Sequence, residues 1–167
     1  FQGSRGLGDV YKRQPSGNMY KMKGKVQSIC DRCVSPSCIH PTICHNLDMD
    51  HQPLLDIYRS ASAHPRVKKA FVSSGIRYDM LVRSSEEEAR ANHCDEYIEE
   101  LVVNHVSGRL KIAPEHTSDS VLKLMRKPSF KFFDAFKEKF ERFNAKAGLK
   151  QQPVSYTHLT LPTKVEV

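Results

Sequence analysis

Four cysteines lie within the stretch CDRCVSPSCIHPTIC, residues 30–44, of a chain that has five in all. The spacing is C-x2-C for Cys30 and Cys33, then four residues to Cys38 and five to Cys44. His40, His45 and His51 follow closely. Thiolate and imidazole are the ligands that zinc and iron–sulfur clusters take, so the four cysteines form a candidate metal site. The competing reading is a loop of free, partly buried thiols. The fifth cysteine, Cys94, falls in a polar helical stretch and reads as incidental.

Two further groups carry polar chemistry. Arg77 follows the turn-forming SSG of Ser73, Ser74 and Gly75. Its planar guanidinium either clamps a carboxylate or phosphate or pairs with a surface acid. Glu115 and His116 sit side by side after Pro114. A carboxylate there can hold hydroxyl or amino groups, and an imidazole can move protons. Read without further help, Glu115 caps the helix that begins near Thr117.

These groups gain meaning from the elements that must carry them. KKAFVSS, residues 68–74, is a short apolar run that predicts a buried strand ending at Gly75, and RLKIAP, residues 109–114, predicts a second. Between them, SSEEEARANHCDEYIEELVVNHV predicts one helix, capped by Ser84 or Ser85, with acids in its first turn and Gly108 at its end. Pro53 opens another helix upstream. TSDSVLKLMRK predicts a helix entered at Thr117. FKFFDAFKEKFERFNAKAG predicts a longer one, with Phe132, Phe133, Phe136, Phe140 and Phe143 on one broad face and Gly148 as its stop. Strands alternating with helices indicate an α/β fold with a parallel sheet, whose site lies at the carboxyl ends of the strands. Arg77, Glu115 and His116 fall there. The turn at Pro15–Asn18 is expected to follow a third strand.

The chain has 167 residues, 26 Lys and Arg against 19 Asp and Glu, and a net charge of +7. It has no apolar run long enough to span a bilayer and no leader pattern. Five cysteines without secretory context suit a reducing cytoplasm rather than a disulfide framework. SRGLGDVYKRQ near the start and VSYTHLTLPT near the end read as translations of a sequencing adapter, because DNA encoding the first has a reverse complement that encodes VSYTH. Residues 1–14 and 154–167 are therefore expected to be non-native, leaving residues 15–153 as the domain, with a Cys-rich loop over 24–50. Without Arg5, Lys12, Arg13, Lys164, Asp9 and Glu166 the net charge becomes +5. The domain is then expected to be truncated at both ends.

PSGNMY, CVSPSCIHPTICHNLDMDHQPLLDIYR, VKKAFVSSGIRYD and HVSGRLKIAPEHTSDSVLKLMRKP together resemble the YgiQ-type radical S-adenosylmethionine proteins. The likeness covers nearly all of residues 15–152. It implies a partial radical-enzyme βα barrel, a [4Fe-4S] cluster, S-adenosylmethionine as cofactor, an electron-donor protein and an unknown substrate. It further implies that Asn18, Arg77, Glu115 and His116 contact the cofactor, Arg77 at its carboxylate. The family's cluster motif, C-x3-C-x2-C, is not among the cysteines here, so its ligands are expected upstream and the chain alone is expected to be inactive. Cys33, Cys38 and Cys44 lie in the resembling block and Cys30 outside it. They are left as an accessory zinc or auxiliary-cluster site, or as a thiol-rich loop over the barrel mouth. The alternative to an enzyme is a zinc-stabilised basic module that binds nucleic acid; the basic residues are interleaved along helices, which makes nucleic acid the weaker expectation.

Overall fold

Six buried or half-buried phenylalanines on one helix hold the core together. In the computed structural model, which describes residues 17–72 and 75–157, the elements run α1 (Gln27–Asp31), α2 (Gln52–Ala63), a 3₁₀ turn (Tyr78–Met80), α3 (Glu86–Ala91) and α4 (Cys94–Glu100). A π-helical turn (Leu101–His105), β1 (Arg109–Glu115), α5 (Asp119–Leu124), α6 (Phe130–Lys146) and β2 (Gln152–Thr157) follow. Phe133, Phe136, Phe140 and Phe143 of α6 are buried, and Phe132 packs at the edge. They meet Leu54 and Leu55 of α2, Tyr97 and Ile98 of α4, and Leu110 and Ile112 of β1. Gly148, at φ +66°, ends α6 in the left-handed conformation that glycine adopts without strain.

β1 alternates exposed and buried residues from Arg109 to Pro114, as one half-buried strand should. It pairs in parallel with β2, Arg109 opposite Gln152 and Ile112 opposite Ser155. Parallel neighbours need a crossover connection, and α5 and α6 supply it. The expected boundary at Val154 falls inside β2, where Val154 lies opposite Lys111. Such pairing needs only backbone groups, so it is independent of where those residues come from. A strand before Pro15 lies outside the described residues.

Several expectations are corrected. Residues 68–72 form no strand: the segment has no regular structure, and the Val72 N–H donates to the His105 carbonyl at 2.8 Å. Ser73 and Ser74 lie outside the described residues. The long helix is broken at Asn92–His93, where His93 has φ +52°. Asn92 supplies the reason: its carbonyl accepts from His51, which draws it out of the helical ladder. Ser85 does cap α3, accepting from the Glu88 N–H. α5 starts one residue later than expected, with Ser118 rather than Thr117 at the cap position. Cys94 is fully buried and its thiol donates to the Met80 carbonyl, a packing role that takes no part in a metal site among the described residues. Burial pushes its pKa up to about 11, which keeps the thiol protonated.

His105 is also fully buried, with Nδ1 2.7 Å from the Ala70 carbonyl and Nε2 3.3 Å from the Glu100 carboxylate. It fastens the irregular segment 70–72 to the helical layer. Outside the core, Asp95 pairs with Lys139 and Arg142, and Glu99 with Lys146, across the α4–α6 interface.

The Phe stripe yields a direct expectation. Phe140→Ala removes a fully buried ring and is expected to cost about 3–5 kcal/mol in denaturant unfolding. Phe132→Ala, at the edge, is expected to cost about 1 kcal/mol. Equal losses at the two positions would contradict this packing.

Candidate functional site

The carboxyl end of β1 opens on a cavity of about 550 Å³. One wall is Gly75–Asp79, another is Lys111–Glu115, and the third is the α5–α6 turn at Arg126, Lys127 and Pro128. A volume of several hundred cubic ångströms suits a small-molecule ligand.

The first wall is set by Asn18. Its side chain is 1% exposed and meets the Arg77 backbone twice: Oδ1 accepts from the Arg77 N–H at 2.7 Å and Nδ2 donates to the Arg77 carbonyl at 3.1 Å. Nδ2 also lies 3.3 Å from His51 Nε2. The other ring nitrogen, Nδ1, lies 3.1 Å from the Asn92 carbonyl. A carbonyl accepts only, so Nδ1 carries the proton and Nε2 accepts from Asn18. The imidazole is thus held neutral. Burial lowers its pKa below the ordinary value of 6.5, against the opposing pull of the Asn92 carbonyl and Asp50.

With its backbone pinned, Arg77 turns its guanidinium onto Asp79 in a two-pronged pair, Nε to Oδ1 at 3.0 Å and Nη2 to Oδ2 at 2.5 Å. Of the two roles open to Arg77, the ion pair is therefore formed, with Asp79 nearly buried and on the cavity wall. Tyr78 stands between them. Burial, with help from Asp79, pushes its phenol up to about 12.

On the second wall, a bulge between Ile112 and Glu115 shifts the register of β1 against β2. Bulges re-aim side chains. Glu115 is left at φ +71° and its Oε1 accepts from Lys127 Nζ at 3.2 Å. It does not cap α5. His116 performs a local version of that role: its Nδ1 accepts from the Ser118 N–H at 2.7 Å. His116 is not on the cavity wall, whereas Arg77 and Glu115 are. Asn18 acts from behind the wall.

The four loop cysteines are not gathered. Among the described residues no group of three or more His, Cys, Asp or Glu side chains is placed to hold a metal ion. Cys33 and Cys38 are exposed. Cys44 packs beside Leu47 and Met49. Cys30 sits at the loop's neck, where Asn46 Nδ2 donates to its sulfur at 3.3 Å. A Cβ on Gly24 would come within 2.2 Å of that sulfur, so Cys30 packs closely rather than standing apart. The donor set as folded does not fit a tetrahedral metal site. The loop instead carries Ile39–Ile43 to the rim of a second cavity that shares Arg77, Asp79, Arg126, Lys127 and Pro128 with the first.

Residue reasoning missed Asn92, His51, Asp79, Arg126 and Lys127 as members of this region. Asp79 carried the readable signal: an acid two residues from Arg77 in GIRYD.

The chain is 56% identical over 142 residues to a UPF0313 protein of Bacteroides thetaiotaomicron, covering 85% of the chain and 23% of the relative. It is 53% identical to a UPF0313 protein of Porphyromonas gingivalis, covering 85% and 22%. A UPF0313 protein of Pseudomonas aeruginosa is 45% identical, with 85% and 18% covered. The homologues of this chain are UPF0313 proteins. UPF0313 is the YgiQ-type family, which agrees with the resemblance carried by the motifs. The chain spans about a fifth of the length of the curated relatives it matches. No family model matches it. No solved structure matches it.

His51 gives a pH-dependent stability. Because its folded-state pKa is lowered, its contribution is complete above pH 6.5 and is lost as pH falls below that toward the lowered value. Urea midpoints are expected to drop between about pH 7.5 and about pH 5.5, and His51→Gln is expected to shrink that drop. An equal drop in the variant would rule out His51 as the source.

Proposed function

We propose that this chain is a cofactor-binding section of a longer radical S-adenosylmethionine enzyme, folded as part of a βα barrel. The observation that carries the reading is the cavity at the carboxyl end of β1, which presents a guanidinium on one wall and a carboxylate on another. The methionine end of S-adenosylmethionine bears a carboxylate and an ammonium. Arg77 suits the first and Glu115 the second. The UPF0313 homology supports the same reading.

When bound beside a reduced cluster, the cofactor supplies a 5'-deoxyadenosyl radical that abstracts hydrogen from a substrate. This chain's residues bind and orient. Asp79 holds the guanidinium of Arg77 at the wall, and the Asn18 amide fixes the backbone beneath it. Lys127 sets the carboxylate of Glu115. The cysteines here do not match the family's C-x3-C-x2-C motif, so the proposal assigns the cluster ligands, and an electron-donor surface, to the remainder of the longer protein. Among the described residues no helix is long and apolar enough to cross a membrane, and the proposal places the enzyme in the cytoplasm. The zinc-stabilised nucleic-acid module is not favoured: its four candidate thiols are dispersed.

The test is S-adenosylmethionine affinity in the full-length protein. Arg77→Lys keeps the charge but loses the planar fork, and is expected to weaken binding about tenfold, the loss of one charge-assisted hydrogen bond. Glu115→Gln is expected to act in the same direction. Unchanged affinity in both variants would sink the assignment.

A further inference from the structure

The second cavity, of about 430 Å³, has a different character from the first. Its lining includes five cationic side chains, Arg77, Arg83, Arg126, Lys127 and Lys131, against one carboxylate, Asp79. Three of the five are answered by nearby acids: Arg77 by Asp79, Arg83 by Glu88 and Lys127 by Glu115. The other two are not. Among the described residues Lys131 has no ion-pair partner; its ammonium lies 5.4 Å from the Phe132 ring, and its field reaches Asp119. Asp119 is already engaged, accepting from Ser129 and from the Phe130 N–H. The Arg126 side chain meets no acid among the described residues.

Arg126 is also placed at a backbone cost. It ends α5 at φ +54°, a left-handed position that glycine fills without strain and other residues fill at about 1–2 kcal/mol. The Arg126 N–H donates to the Lys123 carbonyl and the Lys127 N–H to the Leu122 carbonyl, so the turn is a closed helix terminus. An arginine at a glycine position, aimed into a cavity with an unanswered lysine, leaves positive charge where a ligand can enter.

We propose that this cavity binds an oxyanion of a small molecule, a phosphate or carboxylate group of the substrate, held by Arg126 and Lys131 next to the first cavity. The inference deepens the cofactor reading by naming the substrate's chemical class. Cations that face one cavity without acids to neutralise them recognise anions, and Arg forms the two-pronged contact that phosphate and carboxylate share. The cavity's size suits a small-molecule group.

The experiment titrates the full-length protein with inorganic pyrophosphate and, separately, with succinate, without S-adenosylmethionine, by calorimetry at low ionic strength. Pyrophosphate binding marks a phosphate substrate, succinate binding a carboxylate one. Arg126→Gln with Lys131→Gln is expected to weaken whichever binds by at least about tenfold. Lys131→Gln alone, which leaves the lining of the first cavity untouched, is expected to weaken the anion while keeping S-adenosylmethionine affinity, which also shows that it is folded. Should neither anion bind, or the variant bind it as well as the parent, the inference fails whatever the cofactor does. Equal losses for anion and S-adenosylmethionine in Lys131→Gln would merge the two cavities into one site and also overturn it. Binding of a single-stranded oligonucleotide through these residues, tighter than pyrophosphate, would replace the small molecule by nucleic acid. Anion binding without any S-adenosylmethionine binding sinks the cofactor reading and leaves this site standing.

Discussion

A single buried side chain, Asn18, joins parts of the chain that are far apart in sequence. Its amide gives one donor and one acceptor to the Arg77 backbone and a second donor contact to His51. His51 passes the connection to the Asn92 carbonyl, and Asn92 Nδ2 ends it on the Glu88 carbonyl. Every member must be satisfied, because a buried amide or imidazole left without a partner costs about 1–3 kcal/mol. The run of bonds therefore has one compatible arrangement. It fixes the loop after Gly75, the start of α2 and the break between α3 and α4 at once. The cavity wall at Arg77 is a consequence of that geometry.

The opposite wall is fixed by different means. The parallel pairing of β1 and β2 sets the direction of the strand, and the bulge before Glu115 turns its last residue. Two residues other than glycine, Glu115 and Arg126, stand at positive φ on the lining of this one cavity. Such conformations cost of order 1–3 kcal/mol and persist where the surroundings over-determine them. Here the Glu115–Lys127 pair ties the strand end to the helix turn, and Pro128 stiffens the chain just beyond. The other two non-glycine residues at positive φ among the described residues, Lys21 and His93, lie away from this cavity.

The parts of this arrangement that were legible in the sequence are those governed by local rules. The Phe stripe of α6, its Gly148 stop, the Ser85 cap, the Pro53 entry and the alternation of β1 follow from neighbours a few residues away. The break at Asn92–His93 was not legible, since its cause is His51, forty-one residues earlier in the chain. The stretch 68–72 has strand composition but one ladder-like bond, to His105, and composition carries no information about partners. Glu115 reaches the cavity at the end of β1 as expected, whereas Arg77 lines it although the segment before it forms no strand. Strand ends could not separate His116, one residue on from Glu115, which turns to its own helix terminus instead. The cysteine spacing suggested convergence, yet spacing along a loop does not determine the path of the loop. Here that path is closed at its base, where Gly24 bridges Leu47 and Asn46 holds Val26 from both sides. Cys30 is kept at the neck while Cys33 and Cys38 face solvent.

The excess of basic residues acquires a location from these contacts. Much of the charge on α6 is matched by α4: Lys139 and Arg142 meet Asp95, and Lys146 meets Glu99. Arg59 of α2 is matched by Glu96 and Glu100. These exposed pairs each contribute little to stability, but they remove the helical layer as a continuous basic face. A nucleic-acid surface needs such a face, with many cations open to a run of phosphates. Arg126 and Lys131 are arranged otherwise. They are solvent-exposed and line one concave site beside three answered ion pairs. Two cations at one concavity suit the small anion proposed above better than a run of phosphates, and they lie against the same wall that Asn18 holds in place.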